Sequence, residues 1–184
     1  MAHTWTWDKL VRNSERLNPK SRGRNYPYTP KFEIANFTSG PNRGQKTIVP
    51  FVATRTCLVS LRAWGVTQAS LHNVTLSFSD VDIQTENPNN EREYFQIEYN
   101  GDMYWIHKFD RLRNPMANRC TCKDYFYTWA YYNRRHGCLY GPAPKPYVRK
   151  TTWMPPRNPR GIPGVCKHIY NAWNILRNSG LTMN

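Results

Sequence analysis

Carboxylates are scarce in this sequence and, from Tyr125 to the end, absent. Across 184 residues, 26 Lys and Arg face 12 Asp and Glu, for a formal net charge of +14. No apolar run approaches the roughly 20 residues that a membrane-spanning helix needs, which excludes that class. There is no His-Glu-x-x-His, no glycine-rich phosphate loop and no nucleophile elbow. Those absences remove the usual sequence grounds for a metalloprotease, a nucleotide hydrolase or a serine hydrolase, and we expect no enzyme. The opening residues MAHTWTWDKLVRN lack an apolar signal core, so an intracellular chain with reduced thiols is expected.

What charge there is lies unevenly. Nine cations in residues 1–49 face only Asp8, Glu15 and Glu33, giving +6. Between Asp80 and Asp110 eight carboxylates face Arg92 and Lys108, giving −6, and from Tyr125 onward nine cations give +9. Basic ends around an acidic middle suit docking between copies or partners, and suit nucleic acid as well. Seven Trp and 12 Tyr at a mean hydropathy of −0.77 point to a modest core and an aromatic contact surface.

Five cysteines are present, and four residues in two short pieces read as one site: Cys120-Thr121-Cys122 and Cys166-Lys167-His168. Three sulfurs and an imidazole make a complete tetrahedral set for zinc, with no position left open for a substrate, so the metal is read as structural. Another thiophilic ion or an iron–sulfur cluster would use similar donors, and disulfides are the competing use of the thiols. Cys-x-Cys fits a strand end or knuckle. Cys-x-His, followed by Ile169, Ala172, Trp173 and Leu176, fits the entry of an amphipathic helix, whose amides and dipole favour thiolate. Arg119, Lys123 and Lys167 stand ready to offset the surplus negative charge. Cys57 reads as a core thiol, while Cys138, after Gly137, could replace a ligand.

The remaining pattern predicts an α+β fold: a small antiparallel β-sheet with two short helices around a structural zinc site, plus an extended N-terminal arm. Residues 1–47 read as that arm, with one short helix over 5–17 and prolines interrupting the rest. Exposed Trp would be costly, so the arm is expected to dock either on the chain's own body or on another subunit, and Trp5, Trp7, Tyr26 and Tyr28 are candidate partner-binding residues. Residues 48–184 read as a single zinc-containing body. Within it, residues 47–64 predict one or two strands, and Val74, Leu76 and Phe78 alternate as one buried strand face. DIQTENPNNERE predicts a long turn, and Glu93 to His107 a hairpin about Asn100-Gly101. RLRNPMAN predicts a loop. Asp124 predicts the cap of a helix ending near Arg135, with Gly137 as its stop and Tyr125, Thr128, Trp129 and Tyr132 on one face. Residues 139–164, rich in Pro, Gly and Arg, predict a displayed loop in which Tyr147, Arg149, Trp153 and Arg157 are candidate contacts.

The Cys-x-Cys…Cys-x-His order resembles the SWIM type of zinc-binding motif, a small ββα unit in that family. The wording around the ligands, RCTCKDYFYTWAYYNRRHGCLYGPAPKPYVRKT and then NPRGIPGVCKH, is similar to a stretch that recurs in structural proteins of tailed bacteriophages. It covers about Arg119 to Trp173. The resemblance implies a virion component: a neck, tail or baseplate subunit, assembled in the host bacterial cytoplasm and bound to other virion proteins in a ring or other multi-copy assembly. The alternative is a SWIM-like nucleic-acid-binding zinc protein. No helix carries a row of Arg, Lys, Asn and Gln suited to a groove, which places that reading second.

Overall fold

A computed structural model of the chain describes residues 4–17, 32–33, 48–64, 71–145 and 156–183, with only the backbone described at 32–33, 63–64 and 71. The architecture is α+β. Helix α1 (Trp7–Leu17) is followed by strands β1 (Phe32–Glu33), β2 (Ile48–Phe51), β3 (Thr56–Trp64) and β4 (Leu71–Phe78). Next come β5 (Ile83–Gln84), β6 (Tyr94–Tyr99), β7 (Asp102–His107) and β8 (Met116–Cys120). Helix α2 (Lys123–Tyr125) runs through a π turn (Phe126–Ala130) into α3 (Tyr131–Arg135), and α4 (Lys167–Asn178) closes the order.

Two antiparallel sheets form. In the larger, β3 is flanked on one side by β1 and β2 and on the other by β4, which pairs in turn with β8. Alternation does its expected work: Val74, Leu76 and Phe78 are buried on one face of β4, and Val59 and Leu61 opposite them on β3. The smaller sheet has the order β5-β7-β6. Its hairpin turns at Asn100 and Gly101, both at positive φ, as an Asn-Gly type I′ turn requires. Ile97 pairs with Tyr104 and Phe95 with Ile106, a set packed on or within the common core.

Three expectations change. The turn predicted from DIQTENPNNERE contains β5, because Ile83 is apolar enough to bury and pairs with Ile106. The loop predicted from RLRNPMAN ends early: Met116, Ala117 and Asn118 belong to β8, matched to Phe78, Ser77 and Leu76. The helix predicted to be capped by Asp124 is capped by Cys122, whose sulfur accepts the Tyr125 amide at 3.2 Å. Asp124 instead accepts from the Thr128 hydroxyl at 3.3 Å.

The N-terminal helix is part of the body. Trp7, expected to engage a partner, is buried and stacks on Trp173 of α4 with ring centroids 4.8 Å apart and 13° between planes. Leu10 is buried beside it in the core cluster. Trp5 is half-buried, edge-on to His136 at 5.6 Å, and its carbonyl accepts the Met116 amide at 2.7 Å. An aromatic pair burying this much apolar area is a better home for Trp than water. Tyr26, Tyr28, Tyr147, Arg149 and Trp153 lie outside the described residues. Trp7→Ala is expected to destabilise the chain by about 3–5 kcal/mol in urea unfolding, the cost of a large core cavity.

Candidate metal centre

The site sits where β8 ends and α4 begins. Cys120 is the last residue of β8, fixed opposite Val74. The chain then turns, and Thr121 keeps hold of β4: its amide donates to the Asn73 carbonyl at 3.1 Å and its hydroxyl accepts the Asn73 amide at 2.9 Å. This knuckle lets Cys122 face the same side as Cys120, with the Cys122 amide 3.5 Å from Cys120 Sγ. From the other direction, Cys166 is the N-cap of α4 and His168 lies in its first turn. Ile169, Ala172, Trp173 and Leu176, the apolar face read from the sequence, are all buried.

Cys120, Cys122, Cys166 and His168 come together with their ligand atoms all within 4.8 Å of one another. Each is at most 4% exposed. All five cysteines are free thiols, so the cluster is not a disulfide. His168 turns Nδ1 inward, 3.8 Å from Cys120 Sγ. A tetrahedron with metal–sulfur bonds of about 2.3 Å has edges of about 3.8 Å, so the donor set fits a four-coordinate ion. Four protein donors close such a site, and no described acidic group joins them.

The electrostatics suit a cation. Among the sulfurs, Cys122 is held far below the usual thiol range, by hydrogen bonds from Cys120 and then Cys166. Cys120 is pushed up because it gives its proton to Cys122, and Cys166 is pushed up by burial. A divalent ion held by the cluster would favour the thiolate forms by supplying the positive charge that burial denies them. His72 on β4 packs its ring against that of His168, centroids 4.8 Å apart. Arg119, expected beside the thiolates as a counter-charge, turns away: its guanidinium donates to the Tyr140 carbonyl at 2.5 Å and to that of Pro142. Cys138 is buried but outside the cluster, its thiol pushed up to about 12 by burial. Cys57 is a core thiol paired across from Phe78.

Sequence reading missed the polar clasp beside the site. Asn133 takes the Gly164 amide on Oδ1 and gives Nδ2 to the Gly164 carbonyl, each at 2.9 Å. It also reaches the Tyr125 hydroxyl at 3.0 Å, and that hydroxyl donates to the Asn118 carbonyl at 2.7 Å. Asn158 donates to the carbonyls of Thr128 and Ile162. The other leg of the 139–164 segment is pinned on β8, where Asn118 exchanges backbone bonds with Cys138 and Tyr140. Isolated asparagines carry no periodic signal. The bidentate Asn133–Gly164 pair joins residues 31 apart, beyond any local rule.

A second missed feature is the outer face of 123–135. Of the predicted inner face Tyr125, Thr128 and Trp129 are buried and Tyr132 is not fully so, while Phe126, Tyr127 and Tyr131 are 43%, 40% and 38% exposed. Arg157 lies over the Tyr127 ring at 5.7 Å. Phe126, Tyr127 and Tyr131 lie off the i, i+3, i+4 face; the π turn then shifts the register, so that Asn133 is buried and Tyr132, predicted on the inner face, is only half-buried.

We expect one metal ion per chain, with Cys122→Ser or Cys166→Ser losing it and Cys138→Ala retaining it, as read by metal analysis of purified protein. Chelation is expected to lower the melting temperature of the native chain and not that of the two serine variants. No family model, curated protein or solved structure matches the chain, so its chemistry is read from this site alone.

Proposed function

We propose that the chain is a structural subunit of a tailed-bacteriophage particle, at its neck, tail or baseplate, held in shape by zinc and bound to neighbouring virion proteins. The observation that carries the structural role is the closed, buried Cys3His donor set. Four protein ligands leave no place for a substrate or an activated water, so the ion would hold β8 to α4 and do no chemistry of its own. Zinc is favoured over other thiophilic ions by the mixed sulfur and imidazole donors and the tetrahedral spacing.

The particle assignment rests on the similarity of residues 119–173 to phage structural proteins. Two surface features agree with a contact role. Phe126, Tyr127 and Tyr131 project from a helix tied into the core by Tyr125 and Trp129, with Arg157 beside them. Rigidly mounted aromatic and arginine side chains are the types most often found at interface hot spots. The hairpin β6–β7 presents Glu98, Asp102 and Met103 on the acidic part of the chain. A subunit with one acidic and one basic contact region can join copies of itself head to tail through unlike surfaces, as a ring requires.

The same aromatic face with its cations also suits stacking by single-stranded nucleic acid, which makes that the competing outcome. Mass spectrometry of purified particles is expected to find the chain at a fixed copy ratio to other virion proteins. Replacing Phe126 and Tyr127 together by Ala should cut incorporation into particles at least about tenfold, since hot-spot side chains are worth 2 kcal/mol or more, while the melting temperature stays near native. Absence from particles, with tight and salt-sensitive binding to single-stranded nucleic acid, would replace this reading by the other.

A further inference from the structure

Helix α1 reaches the metal-ligand segment from about as far away in sequence as the chain allows. Ser14 and Val165 are 151 residues apart, and Ser14 Oγ accepts the Val165 amide at 2.8 Å while donating to the Leu10 carbonyl at 3.0 Å. Asn13 Nδ2 donates to the Pro163 carbonyl at 3.0 Å. Both bonds fall on the three residues that precede Cys166. Beyond the ligands, Trp7 stacks on Trp173 and lies 5.9 Å from the Tyr170 ring, so α1 touches the chain on both sides of Cys166 and His168.

The segment has no freedom on its other side. Gly164 is gripped by Asn133, and a Cβ there would press on the Trp129 ring and lie 2.6 Å from Ser14 Oγ. Residues 163–165 are therefore a thin strip of backbone between α1 and the π turn. The Asn133 side alone fixes Gly164. The amide of Val165, next to the ligand, and the carbonyl of Pro163 depend on α1 for their partners. A buried amide without a partner is costly, so removing α1 would make this strip shift or hydrate.

We infer that α1 is a latch on the metal centre: Ser14 and Asn13 are positioning residues that set the strip 163–165 so that Cys166 and His168 meet Cys120 and Cys122. Linkage makes the effect reciprocal. Whatever docking of α1 adds to metal affinity, bound metal returns to the docking of α1. The apolar face of Trp7 and Leu10 is then covered in the metal-loaded chain and offered to a neighbour only when the centre comes apart. This inference rests on the Cys3His cluster binding a metal and is independent of the particle assignment.

The test uses the full chain loaded with zinc or cobalt(II) and follows release of the ion to a chromophoric chelator. Ser14→Ala and Asn13→Ala are each expected to weaken retention about fivefold, the worth of one ordinary hydrogen bond. Glu15→Ala, exposed on the same helix, should leave it unchanged. Alanine favours helix, so a loss of retention in the first two would not come from melting α1 itself. The cobalt spectrum is expected to shift in these two variants, which a merely stabilising contact remote from the ligands would not do. In the reverse direction, hydrogen exchange should show the α1 amides losing protection on chelation before those of β3 and β4. Native release and native spectra in both variants would overturn the latch, as would unchanged α1 exchange on metal loss. If chelation unfolds the whole chain at once, the release rates decide, since they are measured on folded protein; if Ser14→Ala does not fold, Asn13→Ala carries the comparison. A native chain that takes up no metal removes the metal reading and the latch with it, a result distinct from a metal-bound chain indifferent to Ser14 and Asn13.

Discussion

Four donor atoms that stand up to 48 residues apart in sequence must meet inside 4.8 Å, and that constraint dictates how the two halves of the body join. Burying three thiols and a histidine with no further partner would be costly. Gathering them around one divalent ion would turn the cost into cohesion, because each charge would be answered at contact distance. The backbone is arranged to permit it. β8 ends at the first ligand, Thr121 continues the pairing with Asn73 while Cys120 and Cys122 turn inward, and α4 starts at the third. The second and third ligands stand at the N-cap positions of the helices that follow them, and Cys122 caps its helix by accepting the Tyr125 amide on its sulfur.

The apolar core is larger than that of a minimal zinc finger. Phe78 stacks on Phe109 at 4.1 Å, Trp7 on Trp173, and the two sheets and α4 share one apolar cluster. A core of that size supplies stability of its own. The asparagine clasp, and an ion if the cluster holds one, act on a narrower problem, the position of the proline- and glycine-rich stretch 156–165. Asn133 and Asn158 satisfy backbone groups that a sheet would otherwise have paired, and a metal in the cluster would fix the point where the segment re-enters a helix.

Much of this was legible in the residues. Asn100-Gly101 between alternating strands specified the hairpin and its register, since only that turn chemistry accepts two positive φ values in succession. The ligand quartet and the apolar face of α4 were readable because both rest on spacing within a few residues. What escaped was long-range. β5 is two residues long and exists because Ile83 finds Ile106; Cys122 took the cap from Asp124 because its sulfur was already turned inward for the cluster. The aromatic side chains of the N-terminal helix called for a docking surface, on the chain's own body or on a partner, and which of the two was not legible: Trp7 packs against Trp173, a contact no local pattern encodes.

The account stands or falls on the Cys3His cluster as a metal centre. X-ray absorption at the zinc edge, on protein purified without added metal, tests it most directly. The account predicts a single four-coordinate shell of three sulfurs at about 2.3 Å and one nitrogen at about 2.0–2.1 Å. A shell dominated by oxygen or nitrogen at other distances, or a protein with no metal in which these cysteines are alkylated as readily as exposed thiols, would contradict it.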